Sequence, residues 1–327
     1  MVIARELQRA LTGAGHEAHL VITPDYGFGR QSAAYLETWR TDVTTVNGQP
    51  IDRVISLRYP SYAVRHPHHV CWLNHTMREY YDLWPQFSGS LSPQGRMKEG
   101  VRRTLIHAAD RYLLTRNIQT LFVQSRTIQQ RLAMWPSLRS DVLYPPAPHR
   151  AYRAEAYGTE FFFVSRLNRL KRADLFIRAL HDPEAAGISA VIAGEGEERP
   201  ALERLTGELG LEGRVTFAGR LSDAQMIDRF ARCRAVVFPP LQEDYGFVTV
   251  EAFASRRAVI TCRDSGGPAE LVQDGINGFI CDPAPESIAR ALRRLADDPT
   301  LAERMGTAAF DSGARLNWAD TIAKLVQ

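Results

Sequence analysis

The chain has 327 residues, 24% of them charged and 45% hydrophobic, with a formal net charge of +3. That length accommodates two domains with sizeable cores, and a nearly balanced charge without a block of consecutive basic residues argues against a nucleic-acid partner. No apolar run approaches the ~18 residues that span a bilayer and no secretory leader is visible, so a soluble, cytoplasmic protein is expected, with peripheral contact at the inner membrane face left open. Cys71, Cys233, Cys262 and Cys281 are far apart and mostly within apolar runs; buried, reduced thiols are the expectation.

In chain order, Ile3, Leu7, Ala10 and Leu11 have helical spacing, and Gly13 and Gly15 stop that helix. A strand is expected from Ala18 to Ile22, ending at Thr23-Pro24. An α/β domain normally begins with a strand whose glycine-rich turn enters the first helix. Opening on a helix is read as a start truncated relative to its relatives, or as a real departure. The first sheet would then lack a central strand and expose apolar surface and unpaired backbone. Weaker strand candidates follow at 43–46 and 53–57. His69 to Leu73 reads as a buried strand, with His75 just beyond its carboxyl end, where open α/β sheets hold ligands. His66, His68 and His69 have no matching Cys, His or Asp group nearby in sequence, so they are not read as a zinc site. Residues 95–115 read as a long amphipathic helix, and three prolines among Pro145, Pro146, Ala147 and Pro148 open a linker running to Tyr157.

The second half alternates strand and helix. Strands are expected at Phe161–Ser165, Ser189–Ala193, Val215–Phe217, Ala235–Phe238, Ala258–Thr261 and Gly278–Cys281. Helices are expected between them, one opened by a Ser222/Gln225 capping box and another by Asp298-Pro299. Apolar strands alternating with helices mean a parallel, doubly wound sheet. Two such domains joined by one linker put a cleft between them. The expected division is 1–150, 151–314, and a last helix, 315–327, returning to the amino-terminal domain.

The chemistry gathers around residues 243–251. After the 235–238 strand and Pro239-Pro240, Glu243 hangs in an acidic loop, Gly246 starts a helix, and Glu251 points from inside it. Amides at a helix start attract anions. Two carboxylates beside such amides suit a sugar-nucleotide: phosphate on the amides, one acid by the sugar, one on the ribose diol. Arg166 ends the strand begun at Phe161, and Lys171 stands at the next helix start; two fixed cations there neutralise a leaving diphosphate. Gly194 and Gly196, Gly219 with Arg220, and Gly266-Gly267 follow the strands begun at Ser189, Val215 and Ala258, where glycine lets backbone approach a ligand. No third glycine completes a dinucleotide fingerprint, no P-loop is present, and no Asp-x-Asp metal clamp occurs.

From Phe161 to about Asp298 the chain resembles the carboxyl domain of family 4 glycosyltransferases, also called glycosyl transferases group 1. The resemblance rests on Ser165-Arg166-Leu167 with Lys171-Arg172, Ala193-Gly194-Glu195-Gly196, Phe217 to Ser222, the Glu243/Glu251 pair, and Gly266-Gly267-Pro268 with Glu270. In the amino half, residues 6–17, the Tyr144-Pro145-Pro146 run and the stretch His75 to Trp84 fit less specifically. The resemblance implies a GT-B fold, two Rossmann-like domains facing across a cleft, and a metal-independent transferase that retains anomeric configuration and moves a hexose from a nucleotide-diphosphate sugar. The acceptor would be a glycan or lipid-linked sugar hydroxyl. It implies that Arg166 and Lys171 hold the diphosphate, that Glu251 binds the ribose, and that Glu243 and His75 act at the reacting centre. Gly246, Phe247 and Val248 would offer backbone contacts, with Gly194, Gly219 and Arg220 also on the donor side. A non-catalytic sugar-nucleotide-binding subunit and a nucleotide-sugar epimerase remain as alternatives. Donor base, sugar, acceptor and oligomeric state are not legible.

Overall fold

The computed structural model describes residues 2–24, 26, 27 and 29–327. It divides into two compact units, Met1–Pro145 with Trp318–Gln327, and Pro146–Asn317. The first division falls at Pro145/Pro146, inside the proline run and five residues before the expected boundary; the second falls at Asn317/Trp318.

The first unit opens on α1 (Val2–Gly13) and α2 (Gln31–Arg40). A short antiparallel ribbon, β1 (Thr45–Val46) and β2 (Gln49–Pro50), precedes four parallel strands in sequential order: β3 (Val54–Arg58), β4 (His69–His75), β5 (Thr120–Val123) and β6 (Asp141–Val142). The expected strand at Ala18–Ile22 is not formed. Its apolar letters suit a strand, but a strand also needs a ladder partner, and here Val21 and Ile22 lie 48% and 70% exposed. The candidate at 43–46 shrinks to the two ribbon residues, and β4 runs further than expected, so His75 is its last residue rather than the one beyond it.

After β4 come α3 (Trp84–Gly89) and α4 (Pro93–Tyr112). Ser92 opens α4 by accepting the Gly95 amide at 3.2 Å, and the helix widens into a π turn at Leu113–Asn117 instead of continuing regularly. A final short helix, α5 (Arg126–Leu132), follows β5. Asp110 of α4 is fully buried and accepts hydrogen bonds from the hydroxyls of Tyr35, Tyr62 and Tyr81. Burial lifts its carboxyl to about 6 although the three donors favour the ion. The terminal helix Trp318–Val326 belongs to this unit, with the Trp318 ring edge-on to Trp72 at 6.2 Å.

The second unit is a six-stranded parallel sheet. Its strands are β7 (Phe161–Val164), β8 (Ala190–Ala193), β9 (Val215–Gly219), β10 (Val236–Val237), β11 (Val259–Cys262) and β12 (Gly278–Cys281), in spatial order β12-β11-β10-β7-β8-β9. Helices α6 (Ala173–His181), α7 (Arg199–Glu208), α8 (Asp223–Arg232), α9 (Phe247–Ala254), α10 (Gly267–Leu271), α11 (Pro285–Asp297) and α12 (Pro299–Ala314) connect or follow them. The alternation of a strand's side chains builds two cores. Phe161 and Phe163 pack with Phe176 and Ile177 of α6 and Leu292 of α11. Phe162 turns to the opposite face, against Phe230 of α8 and Phe253 of α9. The Ser222/Gln225 capping box forms in full at the start of α8, and Asp298 accepts the Leu301 amide at the start of α12. All four cysteines are free and buried. Among the described residues no helix is long and apolar enough to cross a membrane.

Candidate functional site

In the second unit the chain leaves β7 toward β8 and β9, then returns to lay β10 on the other side of β7. The order therefore reverses between β7 and β10, and a crevice opens at the carboxyl ends of such neighbouring strands. Lys171 and Glu243, two of the expected site residues, meet here.

Beyond β7, Arg166 is exposed. Lys171 does not start α6; it closes a 3-10 turn, Arg169–Lys171, with Arg172 between that turn and the helix in a left-handed conformation at φ 51°. The detour turns Lys171 toward the loop after β10, where its ammonium pairs with the Glu243 carboxylate. Arg172 fixes that loop from beneath. Its guanidinium donates to the Pro239 and Pro240 carbonyls at 2.7 and 2.8 Å and forks onto Asp264 at 2.8 and 2.7 Å. Glu243 in turn bridges to the Gly266 turn: its amide donates to Ser265 O and its carbonyl accepts the Gly267 amide, each at 2.9 Å.

Gly246 caps α9 in a left-handed conformation at φ 83°, and Phe247 and Val248 form its first turn. A Cβ at Gly246 would stand 2.7 Å from Pro268 Cγ and 3.0 Å from Phe238 Cε1. Gly194 and Gly219, at the ends of β8 and β9, are hydrogen-bonded to each other, amide to carbonyl, at 2.7 Å, and Arg220 beyond them is exposed. On the Cβ side, Gly194 and Gly196 make room for the chain itself. A Cβ at Gly194 would lie 1.8 Å from the Ser165 carbonyl oxygen, and one at Gly196 2.1 Å from that of Leu167. The chain's own backbone fills the space.

Glu251, inside α9, is 6% exposed. Burial raises its carboxyl to about 7, against the lowering influence of the Arg150 guanidinium and the Tyr152 hydroxyl. Both donate to Oε1, Tyr152 at 3.1 Å, and Arg150 also reaches Asp223 at 3.3 Å. Sequence reasoning missed Arg150 and Tyr152, since both lie in the stretch read as a linker and no spacing marks them. It also missed the Arg172–Asp264 fork.

His75 belongs to the first unit, where its Nδ1 lies 2.9 Å from the Thr76 carbonyl oxygen. Of its histidine neighbours, His69 is buried between Ser56 Oγ and the Asn117 carbonyl, and burial pushes it down to about 4. Among the described residues no three His, Cys, Asp or Glu side chains gather as a metal site.

Residues 150–312 match the family model of glycosyl transferases group 1. The second unit belongs to that family. Curated relatives of this glycosyl transferases group 1 unit include the alpha-D-kanosaminyltransferase of Streptomyces kanamyceticus, 35% identical over 48% of this chain and 42% of the relative. The D-inositol 3-phosphate glycosyltransferase of Streptomyces griseus is 34% identical over 49% of this chain and 36% of its own length. The alpha-1,3/1,6-mannosyltransferase of Mus musculus is 29% identical over 56% and 50%. The matches thus span half or less of these relatives' lengths. Over nearly the whole chain, the sucrose-phosphate synthase of Thermosynechococcus elongatus has the same fold, with TM-score 0.75 at 18% identity, covering 99% of this chain and 90% of that one. WaaG, a glycosyltransferase involved in lipopolysaccharide biosynthesis, gives 0.72 at 15%, covering 98% and 93%. The fold is GT-B, with two Rossmann-like domains.

Proposed function

We propose that the chain is a retaining, metal-independent glycosyltransferase that moves a hexose from a nucleotide-diphosphate sugar to a hydroxyl on a glycan or lipid-linked acceptor. The observation that carries this reading is the pairing of Lys171 with Glu243 where the strand order reverses, beside the start of α9. It sets a cation for the diphosphate against an acid for the sugar, next to amides that suit phosphate. Arg166 and Lys171 take up charge as the diphosphate leaves, Glu251 holds the ribose, and Gly246, Phe247 and Val248 meet phosphate or sugar through their backbone. Gly194, Gly219 and Arg220 complete the donor side, and the catalytic roles fall to Glu243 in the second unit and His75 in the first. The enzyme works in the cytoplasm without a metal cofactor; the crystal structures of related fold that contain UDP, such as TarM and HepE, favour a nucleotide donor.

A thermal-shift panel of UDP, GDP, ADP and their sugars, with and without Mg²⁺, tests the proposal. A ligand at ~100 times its dissociation constant stabilises by about 2.7 kcal/mol. A shift with one base, independent of Mg²⁺ and lost in Glu251→Ala, is expected. No shift with any nucleotide overturns the reading. Binding without transfer to any acceptor leaves a binding subunit, and a product formed without acceptor reveals an epimerase.

A further inference from the structure

The segment following the Pro145/Pro146 division is held to the second unit by its backbone. The Glu155 amide donates to Ala231 O at 3.0 Å, the Gly158 amide to Arg232 O at 2.7 Å, and Arg257 Nη2 donates to Glu155 O at 2.8 Å. Within this strap Arg153 adds an ion pair to Asp228 at 2.8 Å. Arg150 and Tyr152 are thereby carried to Glu251, some hundred positions onward in sequence. Both donate to the same oxygen, Oε1, and among the described residues Oε2 accepts no hydrogen bond. Asp223, the first residue of α8, takes a second Arg150 nitrogen at 3.3 Å and keeps the guanidinium in place.

We infer that Arg150 and Tyr152 are positioning residues for the nucleotide: they pin Oε1 of Glu251 and so present Oε2 to a ribose hydroxyl. This rests on the reading of Glu251 as the ribose-binding acid. A carboxylate hydrogen-bonded through one oxygen cannot rotate freely, and its second oxygen keeps a fixed direction for a ligand donor. The arginine has a further effect. Glu251 is buried enough to favour its neutral form, and the guanidinium opposes that, so the pair keeps an anionic acceptor available near neutral pH. Without Arg150 the acid would be both less directed and more often protonated.

The test compares UDP, GDP and ADP with their 2′-deoxy and 3′-deoxy counterparts by titration calorimetry on the full chain, in wild type, Glu251→Gln, Arg150→Met, Arg150→Lys and Tyr152→Phe. Whichever base binds, the wild type should prefer the ribonucleotide. Arg150→Met should shrink that preference about tenfold, the size of one charge-assisted hydrogen bond, with a smaller loss in Tyr152→Phe and substantial rescue in Arg150→Lys. Affinity for the deoxy counterparts should hardly change, which a merely structural defect would not produce. If Arg150→Met fails to fold, Tyr152→Phe and Arg150→Lys carry the comparison. An unchanged preference in Arg150→Met, beside a collapsed one in Glu251→Gln, overturns the inference alone. Tighter binding in Arg150→Met also overturns it, since the arginine would then be an obstacle. If Glu251→Gln leaves the preference intact, or no nucleotide binds the wild type, the reading of the site fails and the inference with it.

Discussion

Lys171 donates to the Glu243 carboxylate across 72 positions of sequence, and each side chain is only 18% exposed. In the proposed site the acid therefore competes with the donor diphosphate for the lysine. Glu243→Gln should bind the free nucleoside diphosphate roughly threefold more tightly, the size of a partly screened ion pair, while transferring sugar more slowly. Titration beside a turnover assay separates the two effects, and weaker diphosphate binding in Glu243→Gln would contradict the competition.

Arg166 is the exposed cation at the end of β7. Arg166→Ala should lower turnover about a hundredfold, as loss of one group stabilising charge in the transition state does. Its fold should be untouched, since the side chain is on the surface. Wild-type turnover in this variant would remove Arg166 from the site.

Glu251 gives a pH signature. Its carboxyl sits at about 7, and the charged or titratable groups facing it are Arg150, Tyr152 and Asp223. Nucleotide affinity should fall as pH drops through about 7 and the ribose acceptor is neutralised. Stability moves the other way. A folded-state carboxyl raised above its ordinary value of 4.5 contributes stability that is full below that value and is lost as pH rises through about 7. Asp110 adds a similar loss between 3.8 and about 6. Urea titrations of wild type and Glu251→Gln across this range check the sign: the variant should lose less stability on going from acid to neutral pH.

Two glycines should differ in their tolerance of alanine. Gly194→Ala drives a methyl onto the Ser165 backbone, which cannot move aside, and should cost at least about 3 kcal/mol. Gly246→Ala meets the Pro268 and Phe238 side chains at an unfavourable positive φ and should cost about 1–2 kcal/mol, with weaker nucleotide binding as the start of α9 shifts. Chemical denaturation ranks the two, and equal effects would contradict the distinction between backbone and side-chain obstruction.

The second unit was readable because each element announces itself locally. Phe161 to Val164 has no polar residue to place, and Ser222 and Gln225 satisfy the start of α8 within four residues of chain. Lys171, Glu243 and Gly246 were identifiable because their order along the chain follows the strand ends. The first unit was less legible. Ala18 to Ile22 has a strand's letters, yet whether a ladder partner lies alongside is decided by tertiary structure, and none does among the described residues. Arg150 and Tyr152 were hidden for a related reason. Their role comes from the strap's hydrogen bonds to the region around Ala231, and nothing within residues 146–157 encodes that destination.

The close approach of the β7 and β8 loops separates what can vary in this site from what cannot. Ladder-like bonds continue past the strands, from the Leu167 amide to Glu195 O at 2.8 Å and from the Glu198 amide to Leu167 O at 3.1 Å. Gly194 and Gly196 are fixed by the backbone opposite them, whereas Arg166, Glu195 and Glu197 between and around them are exposed. The loop is thus a rigid rail on which Glu195 and Glu197 can change while Arg166 keeps its place. New donor preferences could evolve, or be selected in a library, by rewriting those two glutamates without renegotiating the backbone that carries them.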